Sequence, residues 1–411
     1  MSLAVSLKEQ HAAGAAPALG HQLLQQNEQP MSGHAAAALR IGVVIPNLRL
    51  GGAEHVCTLL ADELARLGHV VTVITFSPVE QDLLKVGAQV RRHALGFDDI
   101  SPSRWAALRK NVGRVLALRA QLKQHDVVLS MLAEVNVCLA MAGLGSRTAC
   151  VATERSNPSV LGLGRVRELL RKVTYGWLDA VVAPTTHTVN WLLNNTRTRV
   201  ASVITNPLQM PLPARAPHIA PQDWLLPGRP VVLAVGRLSP EKQTDHLISA
   251  FARTRQAHPQ WQLALVGEGP CLAQWQALAQ SLGVGDDVVF PGRCGNMAQW
   301  YGAASIFVLS SAFEGYPNAL VEALASGVPS IAYDCQTGPC ELITSDVNGV
   351  LIPPSDEAAL GLALQALMGE PERRERYAQH AKATADAHAL AAVARQWEQV
   401  FCQALARRQK R

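Results

Sequence analysis

No apolar run in this 411-residue chain approaches the ~18–20 residues needed to cross a bilayer. The Ala-rich start also lacks the charged stretch and continuous apolar stretch of a secretory signal. Both absences point to the cytoplasm. The eight cysteines are scattered and none form a C-x-x-C pair, which argues against a zinc knuckle, a redox dithiol or a secreted disulfide framework. Most are expected to be buried thiols. Acids are missing from residues 101–125, which hold Arg104, Arg109, Lys110, Arg114, Arg119 and Lys123. A second basic segment, 165–172, sets Arg165, Arg167, Arg171 and Lys172 against Glu168 alone. The net charge is a modest +5, so these segments suit either a solvated helix face or contact with anionic lipid headgroups or a phosphate-bearing acceptor. Neither a nucleic-acid-binding motif nor interleaved aromatics accompany them, so nucleic acid is not an expected partner.

With 48% hydrophobic and 17% charged residues, the chain is a globular one long enough for two domains. Residues 1–39 show no sustained periodicity and read as a disordered extension, with Met1 or Met31 fitting as the start. From Arg40 the pattern is strand, glycine turn, helix, strand: I-G-V-V-I-P (41–46), N-L-R-L-G-G (47–52), a helix over 53–67 and V-V-T-V-I-T (70–75). The alternation continues through 126–130, 149–153 and 180–184, the mark of a buried parallel sheet. A proline-rich linker, 208–228, is expected to be extended and without elements. A second cycle follows at 230–236, 262–267, 287–292, 306–310 and 329–333, and the tail from about Ser355 reads as helical. The fold class is α/β, with two tandem Rossmann-like doubly wound domains at 40–207 and 229–385. Ligands of such sheets bind beyond the carboxyl ends of the strands, which places the site in the interdomain cleft.

The stretch F-E-G-Y-P-N-A-L-V-E-A-L-A-S-G (313–327) sets Glu314 and Glu322 at the edge and inside of one short helix. Pro317 suits its first position and Gly327 its left-handed end, and Leu320 shares a buried face with Leu324. The unpaired first amides, around Tyr316, Asn318, Ala319 and Leu320, suit a phosphate. Two carboxylates also suggest a glycosidase, but that chemistry wants them ~5–10 Å apart. Eight helical positions span about 12 Å, a spacing better matched to an elongated ligand. A phosphate at the helix start leaves Glu322 at the distance of a ribose diol and Glu314 beside whatever the diphosphate carries.

In V-G-R-L-S-P-E-K-Q-T-D-H-L-I (235–248), Ser239 suits an N-cap and Pro240 a first helical residue, which places Lys242 in the first turn. A cation there opposes the helix dipole unless a diphosphate touches Arg237 and Lys242; as plain surface cations, Lys242 is offset by Glu241. Gly51 and Gly52 open the helix at 53–67 directly after a strand and allow close approach of a ligand, although such a pair is also an ordinary turn. They are not the dinucleotide fingerprint, since no G-x-G-x-x-G follows the strand.

Together G-R-L-S-P-E-K, L-V-G-E-G-P, F-P-G, E-G-Y-P-N-A-L-V-E-A and D-C-Q-T-G-P-C-E-L-I stand in an order that resembles glycosyltransferase family 4, retaining enzymes of the GT-B fold, over about 41–385. The resemblance implies a hexosyltransferase whose first domain binds the acceptor and whose second binds a nucleotide sugar, with a closing helix at 386–411 packing back on the first domain. It implies that Arg237 and Lys242 neutralise the donor diphosphate, that Glu322 holds the ribose, that Glu314 contacts the sugar, and that Gly51 and Gly52 approach from the opposite domain. No cofactor and no metal are expected, and a UDP-sugar is the expected donor substrate. Many members carry a His after a strand of the first domain, whereas D-V-V-L-S-M-L-A-E-V-N (126–136) has none. Ser130, Asn136, Glu154 and Arg155 are the candidates to line the acceptor or sugar region instead. G-G-A-E-H-V and T-E-R-S-N-P further resemble bacterial transferases that extend lipid-linked oligosaccharides, including those adding N-acetylgalactosamine. That implies a lipid-linked glycan acceptor and a peripheral position on the inner face of the cytoplasmic membrane. A nucleotide-sugar epimerase of similar fold and an inactive sugar-binding subunit are the alternatives.

Overall fold

A computed structural model of the chain describes residues 38–49, 51–97, 103–160 and 162–410. Residues 1–37 of the expected extension, and Ser101 and Pro102 of the first basic segment, lie outside the described residues. The first sheet comprises β1 (Arg40–Ile45), β2 (Val70–Thr75), β3 (Arg91–Ala94), β4 (Val127–Met131), β5 (Ala149–Thr153), β6 (Ala180–Ala183) and β7 (Ala201–Val203), in the order β3-β2-β1-β4-β5-β6-β7. All its pairings are parallel, with Val43 opposite both Val73 and Leu129. Helices α1 (Gly52–Arg66), α2 (Arg104–Leu122), α3 (Ala133–Ala142), α4 (Arg165–Thr174) and α5 (Thr186–Asn195) complete this half. Alternate side chains of one strand feed opposite cores: Val43 and Ile45 join one cluster, Val44 the other.

The second sheet comprises β8 (Val231–Val235), β9 (Gln262–Val266), β10 (Val288–Gly292), β11 (Ile306–Leu309), β12 (Ser330–Tyr333) and β13 (Gly349–Ile352), in the order β10-β9-β8-β11-β12-β13. Its helices are α6 (Thr244–Arg255), α7 (Leu272–Ser281), α8 (Met297–Ala303), α9 (Asn318–Ala325), α10 (Pro339–Leu342), α11 (Glu357–Gly369), α12 (Pro371–Ala381) and α13 (Thr384–Ala387). The winding reverses between β8 and β11, so the loops at their carboxyl ends flank a crevice. Those loops carry Arg237, Lys242 and Glu314. The first sheet reverses between β1 and β4, which presents Gly51 and Gly52 in the same way.

The last helix, α14 (Leu390–Gln409), returns to the first sheet. Val393, Trp397 and Phe401 are fully buried there with Ile41, Val43 and Val56, and side chains of that size stabilise by ~1.5–3 kcal/mol each when buried. The two segments that join the halves lie side by side: the Leu208 amide donates to the His388 carbonyl at 2.7 Å, and Leu208 bridges to Ala389. The proline-rich linker is not featureless, since a 3-10 turn forms at Pro221–Asp223. Edge strands β3, R-R-H-A, and β13, G-V-L-I, were not expected; β3 has no apolar run because only one side of an edge strand is paired. Five cysteines are buried, Cys340 and Cys402 are exposed, and all eight are free thiols.

Candidate active site

A cavity of about 550 Å³ lies between the two sheets. Gly51, Gly52, His55 and Asn206 form its wall on the first domain; Gly236, Arg293, Asn318, Ala319 and Glu322 form the wall on the second; the linker closes one side with Leu212 and Arg215. The halves approach closely: a Cβ added to Gly52 would lie 3.3 Å from Asn318 Nδ2. A larger residue at 52 would intrude on the opposite wall.

At the carboxyl ends of β8 and β11 two loops are laced together. Ser310 Oγ donates to the Lys242 carbonyl at 2.8 Å, and the Ala312 amide donates to the Glu241 carbonyl at 2.8 Å. Lys242 Nζ and Ser311 Oγ both donate to Glu314 Oε1, each at 2.6 Å. Pro240–Lys242 is a 3-10 turn that ends at Gln243 with φ 44°, and α6 begins only at Thr244, so Lys242 does not oppose that helix's first turn. Lys242 forms its ion pair with Glu314 and also has Glu241 as a charge neighbour, as expected; the Glu241 carboxylate accepts from Ser239 Oγ at 2.5 Å. Arg237 is exposed, and its guanidinium makes no hydrogen bond or salt bridge with any described residue. Beside the paired Lys242 it is a second cation, with Glu241 as a charge neighbour of both.

Glu322, in the second turn of α9, faces the cavity and accepts from the Tyr301 hydroxyl of α8 at 2.9 Å. Burial drives its carboxyl pKa up to about 7, against smaller lowering by the Tyr301 hydrogen bond and by Arg215. Without a ligand the ionised form is short of donors. A carboxylate so placed gains from hydroxyls delivered by a polyol.

The helix start differs from expectation. Pro317 is the N-cap and α9 runs Asn318–Ala325, with Gly327 at φ 77° after its end. The amide of Asn318 donates to Tyr316 O, and those of Leu320 and Val321 donate to Pro317 O, so Asn318 and Leu320 do not offer the free amides expected of them. The amides of Tyr316 and Ala319 have no backbone acceptor among the described residues. Tyr316 and Leu320 are also removed by their side chains: Leu320 is fully buried, and the Tyr316 hydroxyl meets His388 Nε2 at 2.6 Å in the core. Asn318 and Ala319 do reach the cavity.

Ser130, Asn136 and Glu154 form an internal network in place of an acceptor wall. Ser130 Oγ donates to Asn136 Oδ1 at 2.7 Å, Asn136 Nδ2 donates to Thr153 O at 3.0 Å, and the Tyr175 hydroxyl donates to Glu154 at 2.8 Å. All three residues are fully closed to solvent, so the expectation that they line the sugar region does not hold. Arg155 is different. It donates to Asn206 Oδ1, and Asn206 Nδ2 donates to Asn318 Oδ1 at 2.7 Å, so Arg155 reaches the cavity through two asparagines. Burial lowers its pKa to about 10.

His55 and Arg215 were missed by the sequence reading. Arg215 holds the second domain with its backbone, donating to Gly295 O at 2.9 Å, and the first with its side chain, donating to His55 Nδ1 at 2.7 Å. Burial, and secondarily Arg215, lowers the His55 pKa to about 4, so the ring is a neutral acceptor at pH 7. A histidine after a G-G turn and an arginine among prolines carry no signal linking them at a distance of 160 residues. Arg293, exposed on the opposite wall, was equally unmarked.

Comparison with known proteins matches residues 50–208 to the Glycosyltransferase Family 4 model and 219–384 to the Glycosyl transferases group 1 model, one for each half. The chain belongs to the family 4 glycosyltransferases. Among its relatives, an exopolysaccharide phosphotransferase of Streptomyces coelicolor is 32% identical over 77% of this glycosyltransferase, which spans only 33% of that relative's length. A Campylobacter jejuni α-1,4-N-acetylgalactosaminyltransferase, named for an undecaprenyl-diphosphate-linked oligosaccharide, is 26% identical over 87% of this chain and 97% of its own. Among solved structures, sucrose-phosphate synthase of Thermosynechococcus elongatus superposes with a TM-score of 0.75 at 22% identity, covering 89% of this chain and 99% of that one. Anabaena HepE in complex with UDP gives a TM-score of 0.70 at 19% identity, covering 88% and 99%. These likenesses establish the GT-B fold of the glycosyltransferase.

Proposed function

We propose that this glycosyltransferase moves a hexose or N-acetylhexosamine, with retention, from a UDP-sugar to a polyprenyl-diphosphate-linked glycan at the inner face of the cytoplasmic membrane. The observation that carries the reading is Glu322 in the cavity wall, raised in pKa by burial and short of donors, with Arg237 and Lys242 at the switch point of the same sheet. Glu322 accepts from the ribose hydroxyls. Arg237 and Lys242 neutralise the diphosphate as charge develops on it, the role a divalent cation has in other transferases, so no metal and no cofactor is needed. Because Lys242 rests on Glu314, Glu314 aims that ammonium as well as facing the sugar. The bond from the anomeric carbon to the phosphate oxygen breaks as the acceptor oxygen bonds to the same face. The acceptor proton passes to the departing phosphate oxygen. Gly51 and Gly52 leave room for the donor between the walls. The Campylobacter relative supports the lipid-linked acceptor, UDP-bound HepE supports the nucleotide, and the basic segments 101–125 and 165–172 support contact with anionic lipid.

A thermal-shift panel of nucleotide sugars tests the donor: a ligand at a hundred times its dissociation constant adds about 2.7 kcal/mol, enough to rank candidates. The best donor should then be consumed only when a polyprenyl-diphosphate-linked acceptor is present, giving a product of unchanged anomeric configuration by NMR. Release of a free modified sugar without acceptor, or full activity of Glu322→Ala, would refute the proposal.

A further inference from the structure

Helix α4 is built inside out. Val166, Leu169 and Leu170 recur at the spacing of an amphipathic stripe, which in a globular protein faces the core. Here they are 73%, 61% and 38% exposed. The residues turned inward are Arg171 and Thr174, each 1% exposed; Arg171 is held by Glu168 at 2.6 Å and lies 4.6 Å from the Trp191 ring. The same inversion recurs on α2. Leu118 and Leu122 satisfy the core, yet Trp105, Leu108, Val112 and Leu116, spaced by three and four, are 77%, 54%, 51% and 61% exposed. Helix α3 packs against both α2 and α4, so the two helices that carry the stripes flank one helix of the domain. Exposed cations border them: Arg109 on α2 and Arg165, Arg167 and Lys172 on α4. Helix α2 has no acid, Glu168 of α4 is engaged by Arg171, and α3 adds Glu134 alone.

Apolar stripes with a tryptophan, rimmed by cations and nearly free of acids, match the interfacial layer of an anionic bilayer. A soluble partner with an acidic rim would satisfy the cations but does not call for a wedge-like row of Trp, Leu and Val on two separate helices. We propose that α2 and α4 insert their apolar stripes into the headgroup–acyl boundary while their cations meet anionic headgroups, so that the enzyme is held by hydrophobic burial as well as by charge. This rests on the membrane-bound acceptor argued above and specifies how the chain is held there.

The two kinds of attachment differ in salt. At about 1 M salt the Debye length is about 3 Å and purely electrostatic attachment is lost, whereas inserted apolar area remains. The test is co-sedimentation of the full chain with phosphatidylcholine vesicles, with and without phosphatidylglycerol, at low and high salt. Wild type should bind the anionic vesicles and stay partly bound at high salt. The double variant Val166→Ser with Leu169→Ser, which alters no charge and melts like wild type because both sites are exposed, should bind about tenfold or more weakly and be fully released by salt. If variant and wild type bind alike and both are released by salt, insertion is wrong while membrane contact stands. No binding to either vesicle overturns both. A lipid-free dimer that the double variant abolishes would assign the face to a second copy of the chain and overturn the proposal.

Discussion

Replacing Glu322 with glutamine separates what the buried carboxyl does to stability from what it does for the donor. Glutamine keeps the shape and can still accept from Tyr301, 2.9 Å away in the wild type, but it does not ionise. Burial moves the carboxyl from its ordinary 4.5 to about 7 in the folded chain. The folded chain therefore holds a proton that the unfolded chain releases between those values, and wild-type stability falls as pH rises through that window. At pH 8 the ionised group costs about 3 kcal/mol, and at pH 5 under about 1 kcal/mol. Glu322→Gln removes the larger cost. At 2–4 °C per kcal/mol for a domain of this size, the variant should melt about 6–12 °C above wild type at pH 8 and within about 3 °C of it at pH 5. The donor should respond the other way: a hydrogen bond to a charged acceptor exceeds one to a neutral acceptor by ~1 kcal/mol, so donor affinity should fall roughly fivefold at pH 8. Melting at both pH values and a donor titration check this. A variant less stable than wild type at pH 8, with donor affinity intact, would refute the placement of Glu322 as an underdonated carboxylate in the donor site.

Lys242→Met should lower kcat/KM for transfer at least a hundredfold while shifting stability by under ~1 kcal/mol, since the ammonium is a quarter exposed and its main task arises with the departing diphosphate; unchanged transfer would remove Lys242 from the chemistry. Gly315→Ala places a Cβ 2.4 Å from the Arg155 carbonyl oxygen across the domain junction. It should destabilise by ~1–3 kcal/mol and open the cleft, seen as a larger radius of gyration by small-angle scattering; an unaltered radius and melting point would contradict that contact. His55, lowered to about 4, should show no protonation by NMR above pH 5, and Arg215→Ala should raise its midpoint; a wild-type midpoint near the ordinary 6.5 would break the assigned pair.

Much of the architecture was legible in the chain because it rests on local patterns. Alternating apolar runs and amphipathic stretches announced β1, β2, β5, β8 and β9 nearly to the residue, since a strand buried on both faces must be apolar throughout. Polar β3 escaped because an edge strand need not be. Around the site, Glu322 and Gly327 were placed by helical spacing and by the left-handed cap, and Gly51 and Gly52 by their position after β1. Ser130, Asn136 and Glu154 were misread for the opposite reason: a polar residue at a strand end can face a ligand or an internal network, and Tyr175, far along the chain, decides which.

The sequence by itself determined two doubly wound domains, the family, and which short segments border the cleft. Only the tertiary structure decided that Lys242 pairs with Glu314, that Arg215 ties His55 to the second domain, and that the apolar faces of α2 and α4 point outward. Strand and helix patterns arise from neighbours a few residues apart and are written in the spacing. A side chain's partner depends on where the fold brings residues from distant segments, and that is set by packing the whole domain.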